Sequence, residues 1–394
     1  MISSILMKIV NIIPTYNERE NIGLMLQTLE RIAKENPKYE FLTLVVDANS
    51  TDGTQEIVKD FIAKNKNIFL LTGPKRGLGH DLIRGYRYAM EKLKADVVIP
   101  NDADFQWDPN YIPELLKKID EGYDVVVASR HIKGGEAEKW GWFRKLNHWL
   151  ANTFFAGIVA GVKEVKDHTG CFKAIRVKDH LERVPLDKLN VKGFVIQNQI
   201  LYELSKTGAK FAEVPVKFQE RKRGTSKVGF NKQYLKDIFE WIKSCILIRL
   251  ERSRRFLKFG TVGFIGYLVN AFGLEMFYRL GLSPGPAAAL GAELAIISNF
   301  TLNNLWTFAE QRITGFKKII WKFFQFNLTS LGAVVLQWIV VGVLAKLFGD
   351  QWRQVYLVIA IGFFVIPYNY TMYNVFIWKT WKIPFLRKIQ EKIG

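Results

Sequence analysis

Four long apolar stretches fill the C-terminal third of the chain, at roughly 256–280, 285–307, 323–348 and 354–378. Each has the ~20 residues that a helix needs to cross about 30 Å of hydrocarbon. The segments beside them sort by charge. Arg249, Arg252, Arg254, Arg255 and Lys258 lie at the entry to the first run, and Arg312, Lys317, Lys318 and Lys322 lie between the second and third. Lys379, Lys382, Arg387, Lys388 and Lys392 follow the last run, whereas the two remaining connections hold mainly Arg279, Lys346 and Arg353. By the positive-inside rule this asymmetry puts both termini, and everything before the first run, in the cytoplasm. The expected organisation is a soluble domain over 1–230, an amphipathic linker over 231–255, and a transmembrane domain over 256–394 with four helices and a basic cytoplasmic tail. The stretch "MKIVNIIPTYNE" (7–18) reads as a buried strand and its turn rather than a secretory leader.

In the first 230 residues, strand-length apolar runs alternate with helical segments. The runs are 8–15, 41–48, 67–73, 95–102 and 123–130. They are apolar nearly throughout, as in a parallel sheet covered on both faces, so the expected class is an α/β, Rossmann-like, mostly parallel sheet. Ligands bind such sheets beyond the strand C-termini. Three polar clusters fall there: "PTYNE" (14–18), "DANSTDGT" (47–54) and "NDADFQ" (101–106).

The last cluster places Asp102, Asp104 and Gln106 at alternate positions. In extended backbone alternate side chains share a face, so the three oxygens converge on a hard cation such as Mg²⁺ or Mn²⁺. A solvated turn after a strand is the competing reading. No GxGxxG follows the first strand and no GxxxxGK[ST] exists, which disfavours dinucleotide and P-loop sites. "KRGLGHDL" (75–82) reads as a helix entry at the ligand edge. Cys171 and Cys245, far apart, give neither a zinc site nor a disulfide framework. The formal net charge of +19 fits a membrane surface and phosphorylated substrates, and no base-reading pattern supports nucleic acid.

Two segments have the look of membrane-interface helices. In 138–161 Trp142, Leu146, Trp149, Leu150, Thr153 and Phe154 share one face, with Arg144, Lys145 and Asn152 elsewhere. The second, 233–256, feeds the first span. Within the spans Asn270, Glu275, Glu293, Asn299, Asn303, Asn304, Gln325, Asn327, Gln337 and Asn369 are polar, and Glu293 is expected deepest.

Together, "IIPTYNE", "VVDANSTDGT", "RGLGHDLIRGYRYA", "DADFQ", "ASRHIKGG" and "VPVKFQERKRGTSK" resemble the family-2 glycosyltransferases of GT-A fold. Their order is similar to that of dolichyl-phosphate mannose synthases and bacterial polyprenyl-phosphate relatives. "RFLKFGTVGFIGYLVN" (255–270) and "SNFTLNNLWTF" (298–308) resemble the GtrA-like four-helix family. The resemblance implies that Pro14, Tyr16 and Glu18 border a nucleotide and that Asp47 binds its base or ribose. It implies that Asp102, Ala103, Asp104 and Gln106 meet the nucleotide sugar, the acids and the amide through Mg²⁺ or Mn²⁺. Arg130 would face phosphates, and Arg221, Ser226 and Lys227 would close over the diphosphate and the lipid phosphate. Asp104, Arg130, Arg221 and Lys227 would carry catalysis.

Two departures from the family stand out. Ala48 replaces the second of two adjacent acids, and Gln199, in "VIQNQ", stands where relatives often have a carboxylate. A phosphate acceptor is already an oxyanion and needs no general base, so Gln199 suits a lipid phosphate better than a sugar hydroxyl. The implied reaction is inverting transfer of mannose from GDP-mannose to dolichyl or another polyprenyl phosphate. UDP-glucose as donor, or a lipid-linked-sugar translocator with an inactive GT-A domain, are the alternatives. Membrane lipids are expected partners, and the transmembrane domain leaves an oligomer open.

Overall fold

The apolar runs of the N-terminal half become strands buried on both faces. In β1 (Met7–Thr15) and β2 (Tyr39–Asp47) almost every residue is buried. A computed structural model describes residues 6–137, 140–220 and 232–381. Arg221, Ser226 and Lys227, and the basic tail from Lys382 onward, lie outside the described residues. The chain divides into two units, Met1–Leu250 and Glu251–Gly394.

In the first unit β1, β2, β3 (Ile68–Thr72) and β4 (Val97–Pro100) alternate with α1 (Arg19–Glu35), α2 (Thr54–Lys64) and α3 (Leu78–Glu91). After α4 (Ile112–Asp120) come β5 (Val125–Ser129), a two-residue β6 (Glu136–Ala137), α5 (Trp142–Trp149) and β7 (Lys173–Arg176). Then follow α6 (Val195–Lys206), β8 (Phe211–Pro215), a two-residue β9 (Lys217–Phe218) and α7 (Lys232–Arg252). The seven-stranded sheet runs β3-β2-β1-β4-β7-β5-β8. Only β7 is antiparallel to its neighbours. The sheet is thus mostly parallel, as its sequence implies. β1 and β4 are parallel neighbours, and the strand order turns back between them, so the crevice beyond their C-terminal ends is the ligand edge.

Close backbone approach fixes two of the layers. A Cβ on Gly85 of α3 would sit 2.6 Å from Ile12 Cγ2 and 3.2 Å from Val46 Cγ2. A side chain on Gly79, the second residue of α3, would collide with the Val191 backbone.

In the second unit, α8 (Arg254–Arg279), α10 (Phe316–Phe348) and the stretch Val355–Ile377 are long and apolar enough to cross a membrane. That last stretch joins α11 (Arg353–Ile359) and α12 (Ile366–Met372) with π-helical turns. The second expected span differs. It is a 19-residue helix, α9 (Pro284–Leu302), extended by one π-helical segment, and it is not among the helices with span character. Its own Glu293, Ser298 and Asn299 dilute its hydropathy, and Glu293 lies on the outer surface of the helix. Helices α8 and α9 pack through small residues: a Cβ on Gly273 would lie 2.8 Å from Gly291 Cα, and one on Gly291 2.7 Å from Leu274 N. Phe264, Tyr267, Phe272, Trp338 and Phe363 face outward, as lipid solvation requires.

Gly79→Ala forces its methyl against backbone that cannot rotate away. It is expected to lower stability by about 1–3 kcal/mol, read as a drop in the melting temperature of the detergent-solubilised chain.

Candidate active site

Two loops at the ligand edge are stitched to each other by side chains. Asp47, at the end of β2, is fully buried. Its carboxylate accepts from Thr15 Oγ1 (3.0 Å), Ser50 N (2.8 Å), Ser50 Oγ (2.5 Å) and Gln55 Nε2 (2.6 Å). Asn17 N donates to Ser50 Oγ (2.8 Å), Thr51 N to Asn17 Oδ1 (3.0 Å), and Glu18 N to Thr54 Oγ1 (3.0 Å). Asp47 therefore shapes the 48–53 loop from inside. It ends β2 at the ligand edge, where the resemblance puts a base or ribose. Pro14 and Tyr16 are half-buried on this loop pair, and the Lys75 ammonium lies 3.6 Å from the Tyr16 ring centroid, a cation–π contact.

The acidic turn follows β4. Residues 102–106 are not extended: Phe105 has φ +60°, and Asp104 Oδ1 accepts from Gln106 N at 3.1 Å, an Asx turn. The alternation argument from sequence therefore fails here, because Asp104 uses its side chain to fold its own backbone. The two carboxylates nevertheless sit in one electrostatic environment. The Asp102 carboxyl is pushed up to about 6, first by burial and next by the charge of Asp104, with Glu18 adding to it. Cys171 Sγ donates to Asp102 Oδ2 (3.1 Å) and opposes the shift. Ala103 is buried in the core, anchoring the turn between its acids. Glu18 is itself buried and accepts from Asn21 Nδ2 at 2.9 Å.

A divalent cation suits this donor set. Burial and the charges of Asp104 and Glu18 raise the Asp102 carboxyl, Lys173 opposing them, and hard carboxylate oxygens match Mg²⁺ or Mn²⁺. Among the described residues no three acid, histidine or cysteine side chains form a closed cage.

Arg130, at the end of β5, does not face an open cleft. Its Nε and Nη2 donate to the two Asp167 oxygens (2.8 and 2.7 Å), Nη2 also reaches Thr169 Oγ1 (2.7 Å), and its backbone N–H joins Asp167 at 3.0 Å. Trp107, Phe218 and Trp140 surround the guanidinium at 4.6, 5.1 and 5.4 Å. Despite full burial, this fork holds the Asp167 carboxyl well below the usual carboxylate range. These bonds use Nε and Nη2 of a guanidinium that carries five N–H donors. Beside it, His131 and His148 stack at 6.3 Å. Burial, then the charge of Arg130, pulls the His148 imidazole down to about 3.

Sequence reasoning also passed over Lys173, which is fully buried in β7. Its ammonium donates to Gly170 O (2.8 Å) and Gln197 Oε1 (2.5 Å), and burial lowers it to about 8. A lysine inside the short apolar run "CFKAIR" is the signal that could have found it. Gln199 accepts from Asn190 N (2.5 Å) and donates to Ser244 Oγ (3.1 Å), so its amide joins α6 to α7.

Both expected interface helices expose apolar faces. On α5 and the π-helical segment after it these are Trp142, Leu146, Trp149, Phe154 and Ile158; on α7 they are Leu235, Phe239, Ile246, Leu247 and Leu250. The two helices share a core of Ala156, Trp241, Cys245 and Ile248, and Trp241 Nε1 donates to Ala151 O at 3.3 Å.

Residues 11–183 match the family model "Glycosyl transferase family 2", and residues 258–378 match "GtrA/DPMS, transmembrane domain". The chain is 34% identical over 341 residues to a dolichol-phosphate mannosyltransferase of Pyrococcus furiosus, covering 86% of this chain and 91% of the relative. It is 34% identical over 224 residues to an undecaprenyl-phosphate mannosyltransferase of Micrococcus luteus, covering 57% and 88%. It is 32% identical over 247 residues to a polyprenol monophosphomannose synthase of Mycolicibacterium smegmatis, covering 62% and 89%.

Arg130→Met strands Asp167 as a buried, unpaired carboxylate and is expected to destabilise the protein by about 3–5 kcal/mol; Arg130→Lys keeps the charge but loses the fork and falls between. Thermal unfolding checks both. His148 stays neutral when folded, whereas in the unfolded chain it takes a proton below its ordinary value of 6.5. Its contribution is therefore complete above that value and is lost as pH falls from 6.5 toward 3. In His148→Gln the melting temperature should fall less steeply across that window.

Proposed function

The chain belongs to the family of polyprenol-phosphate mannosyltransferases, a family-2 glycosyltransferase joined to a GtrA/DPMS transmembrane domain, and on that premise we propose that it transfers mannose from GDP-mannose to dolichyl or another polyprenyl phosphate, leaving GDP. The observation that carries the reading is the group of acids Glu18, Asp102 and Asp104 beyond β1 and β4, in which Glu18 and Asp104 both act on Asp102, in a chain whose C-terminal third has helices long and apolar enough to cross a membrane. Asp102 and Asp104, with Gln106, would hold Mg²⁺ or Mn²⁺ at the site of the donor diphosphate. When bound, the metal neutralises charge developing on the leaving diphosphate. Pro14, Tyr16 and Glu18 border the nucleotide, and Ala103 keeps the two acids in place between them. Arg221, Ser226 and Lys227 supply cations and a hydroxyl toward the phosphates.

An acceptor phosphate oxygen attacks the anomeric carbon from the face opposite the diphosphate. The C1–O bond to GDP breaks, its electron pair stays on the β-phosphate, and the anomeric centre inverts. The nucleophile is already anionic, so no side chain removes a proton. That agrees with Gln199, an amide occupied by Asn190 and Ser244. The exposed apolar faces of α5 and α7 lie in the headgroup layer on the cytoplasmic side, which brings the lipid to the ligand edge.

The test is transfer of labelled sugar from GDP-mannose, and in parallel from UDP-glucose, to a polyprenyl phosphate. Label should enter the lipid phase from GDP-mannose, and EDTA or Asp104→Ala should each cut the rate by about 100-fold or more, the several kcal/mol that metal stabilisation supplies. Label from UDP-glucose alone would overturn the donor. Full activity in EDTA would overturn the metal site.

A further inference from the structure

Helix α3 runs from the end of β3 back to the start of β4, and both strands are parallel to β1 and β2, so its first turns stand at the ligand edge. Gly85 packs on Ile12 and Val46. Asp81, one turn earlier, therefore lies nearer that edge, at the level where β2 gives way to Ala48. The Ala48 N–H still donates to Thr15 O at 2.9 Å, so the residue continues the strand and shares the α3 face of the sheet with Val46. Where the second of two adjacent acids is missing at Ala48, a carboxylate stands on the same face at Asp81.

Asp81 is 5% exposed, and its place is fixed from β3. Arg84 Nη1 donates to Asp81 Oδ1 at 3.1 Å, and Arg84 Nη2 donates to Thr72 O at 2.5 Å. Thr72 is the register partner of Asp47, and Gly73 N donates to Asp47 O at 3.0 Å. Glycine at 73 makes room for the Arg84 guanidinium, which a Cβ there would meet at 2.5 Å. Among the described residues Asp81 Oδ2 accepts no hydrogen bond. Burial pushes the Asp81 carboxyl up to about 6 against the pull of Arg84, with the charge of Asp47 adding to it. A carboxylate so placed is short of donors.

An ionised carboxylate is acceptor-only, with two oxygens. Guanine presents two donors side by side, N1–H and the 2-amino group, and meets a carboxylate with two parallel hydrogen bonds. Uracil presents one N–H between two carbonyl oxygens, so the same carboxylate gains one bond and faces an acceptor. We propose that Asp81 reads the base of the donor, accepting from guanine N1–H and the 2-amino group, and so selects GDP-mannose over UDP-linked sugars. The proposal rests on the GDP-mannose donor argued above and goes beyond it by naming the residue that tells the two bases apart. Discrimination of this kind is strong, because the wrong base leaves a buried polar group unpaired.

The test measures binding of GDP, inosine diphosphate and UDP to the full chain in lipid nanodiscs by titration calorimetry with Mg²⁺ present. Inosine diphosphate differs from GDP only in lacking the 2-amino group. The unaltered chain is expected to bind GDP about tenfold tighter than inosine diphosphate, the worth of one hydrogen bond to a charged group, and UDP more weakly than GDP. In Asp81→Asn the ratio of GDP to inosine diphosphate affinity should fall to about twofold or less. A merely structural role for Asp81 would weaken both purine nucleotides alike and leave that ratio unmoved. Equal binding of GDP and inosine diphosphate by the unaltered chain would overturn the proposal, and so would an unchanged ratio in Asp81→Asn. Tighter binding of UDP than of GDP would overturn it together with the guanine donor. The expected ratios without sugar transfer from any donor would sustain the base contact while the transfer reaction fell.

Discussion

A guanidinium taken out of water has to be met by a carboxylate of matching geometry, and much of the catalytic unit is arranged around one such meeting. Arg130 stands at the end of β5 and Asp167 six residues before β7, and their side chains are almost wholly buried. The pair closes the sheet where its one antiparallel strand enters. It also gathers Trp107, Trp140 and Phe218 around a single charge. Removing either partner would leave an uncompensated ion in an aromatic pocket, so the pairing specifies this corner of the fold as much as it stabilises it.

The site grows outward from that corner. Trp107 accepts at its carbonyl from Asn101 Nδ2 (3.3 Å) and packs on Phe172 and Phe218, so the turn carrying Asp102 and Asp104 is pinned at both ends. Cys171, just before β7, and Lys173, its first residue, reach it, one by a hydrogen bond to Asp102 and the other by charge. Asp47 does for the opposite loop what Arg130 does here: a buried charge organises the backbone around it.

Most of the sheet was legible in the sequence because parallel strands buried on both faces leave unbroken apolar runs; the runs at 8–15 and 41–48 fall on β1 and β2. The ligand edge was legible for the same reason, since each run ends in a polar cluster. What escaped depended on information that local pattern does not carry. β7 is four residues long and begins with a buried lysine, so it has no strand signature. Arg130 finds its partner 37 residues away, and nothing near position 130 announces it. The turn at Phe105 was misread because one residue in left-handed backbone cancels alternation on either side of it. The two units were separable by composition alone, whereas in α9 the length of a span and the carboxylate of Glu293 tell against each other.

The glycine contact between α8 and α9 bears on how the protein is made. A short helix carrying a carboxylate is a poor substrate for lateral release into lipid. Set against α8 through Gly273 and Gly291, it presents less bare backbone and shares a neighbour's apolar surface. The two helices are joined by only Leu280–Ser283. With so short a connection the pairing is local in sequence, so each helix meets its partner as soon as both have formed.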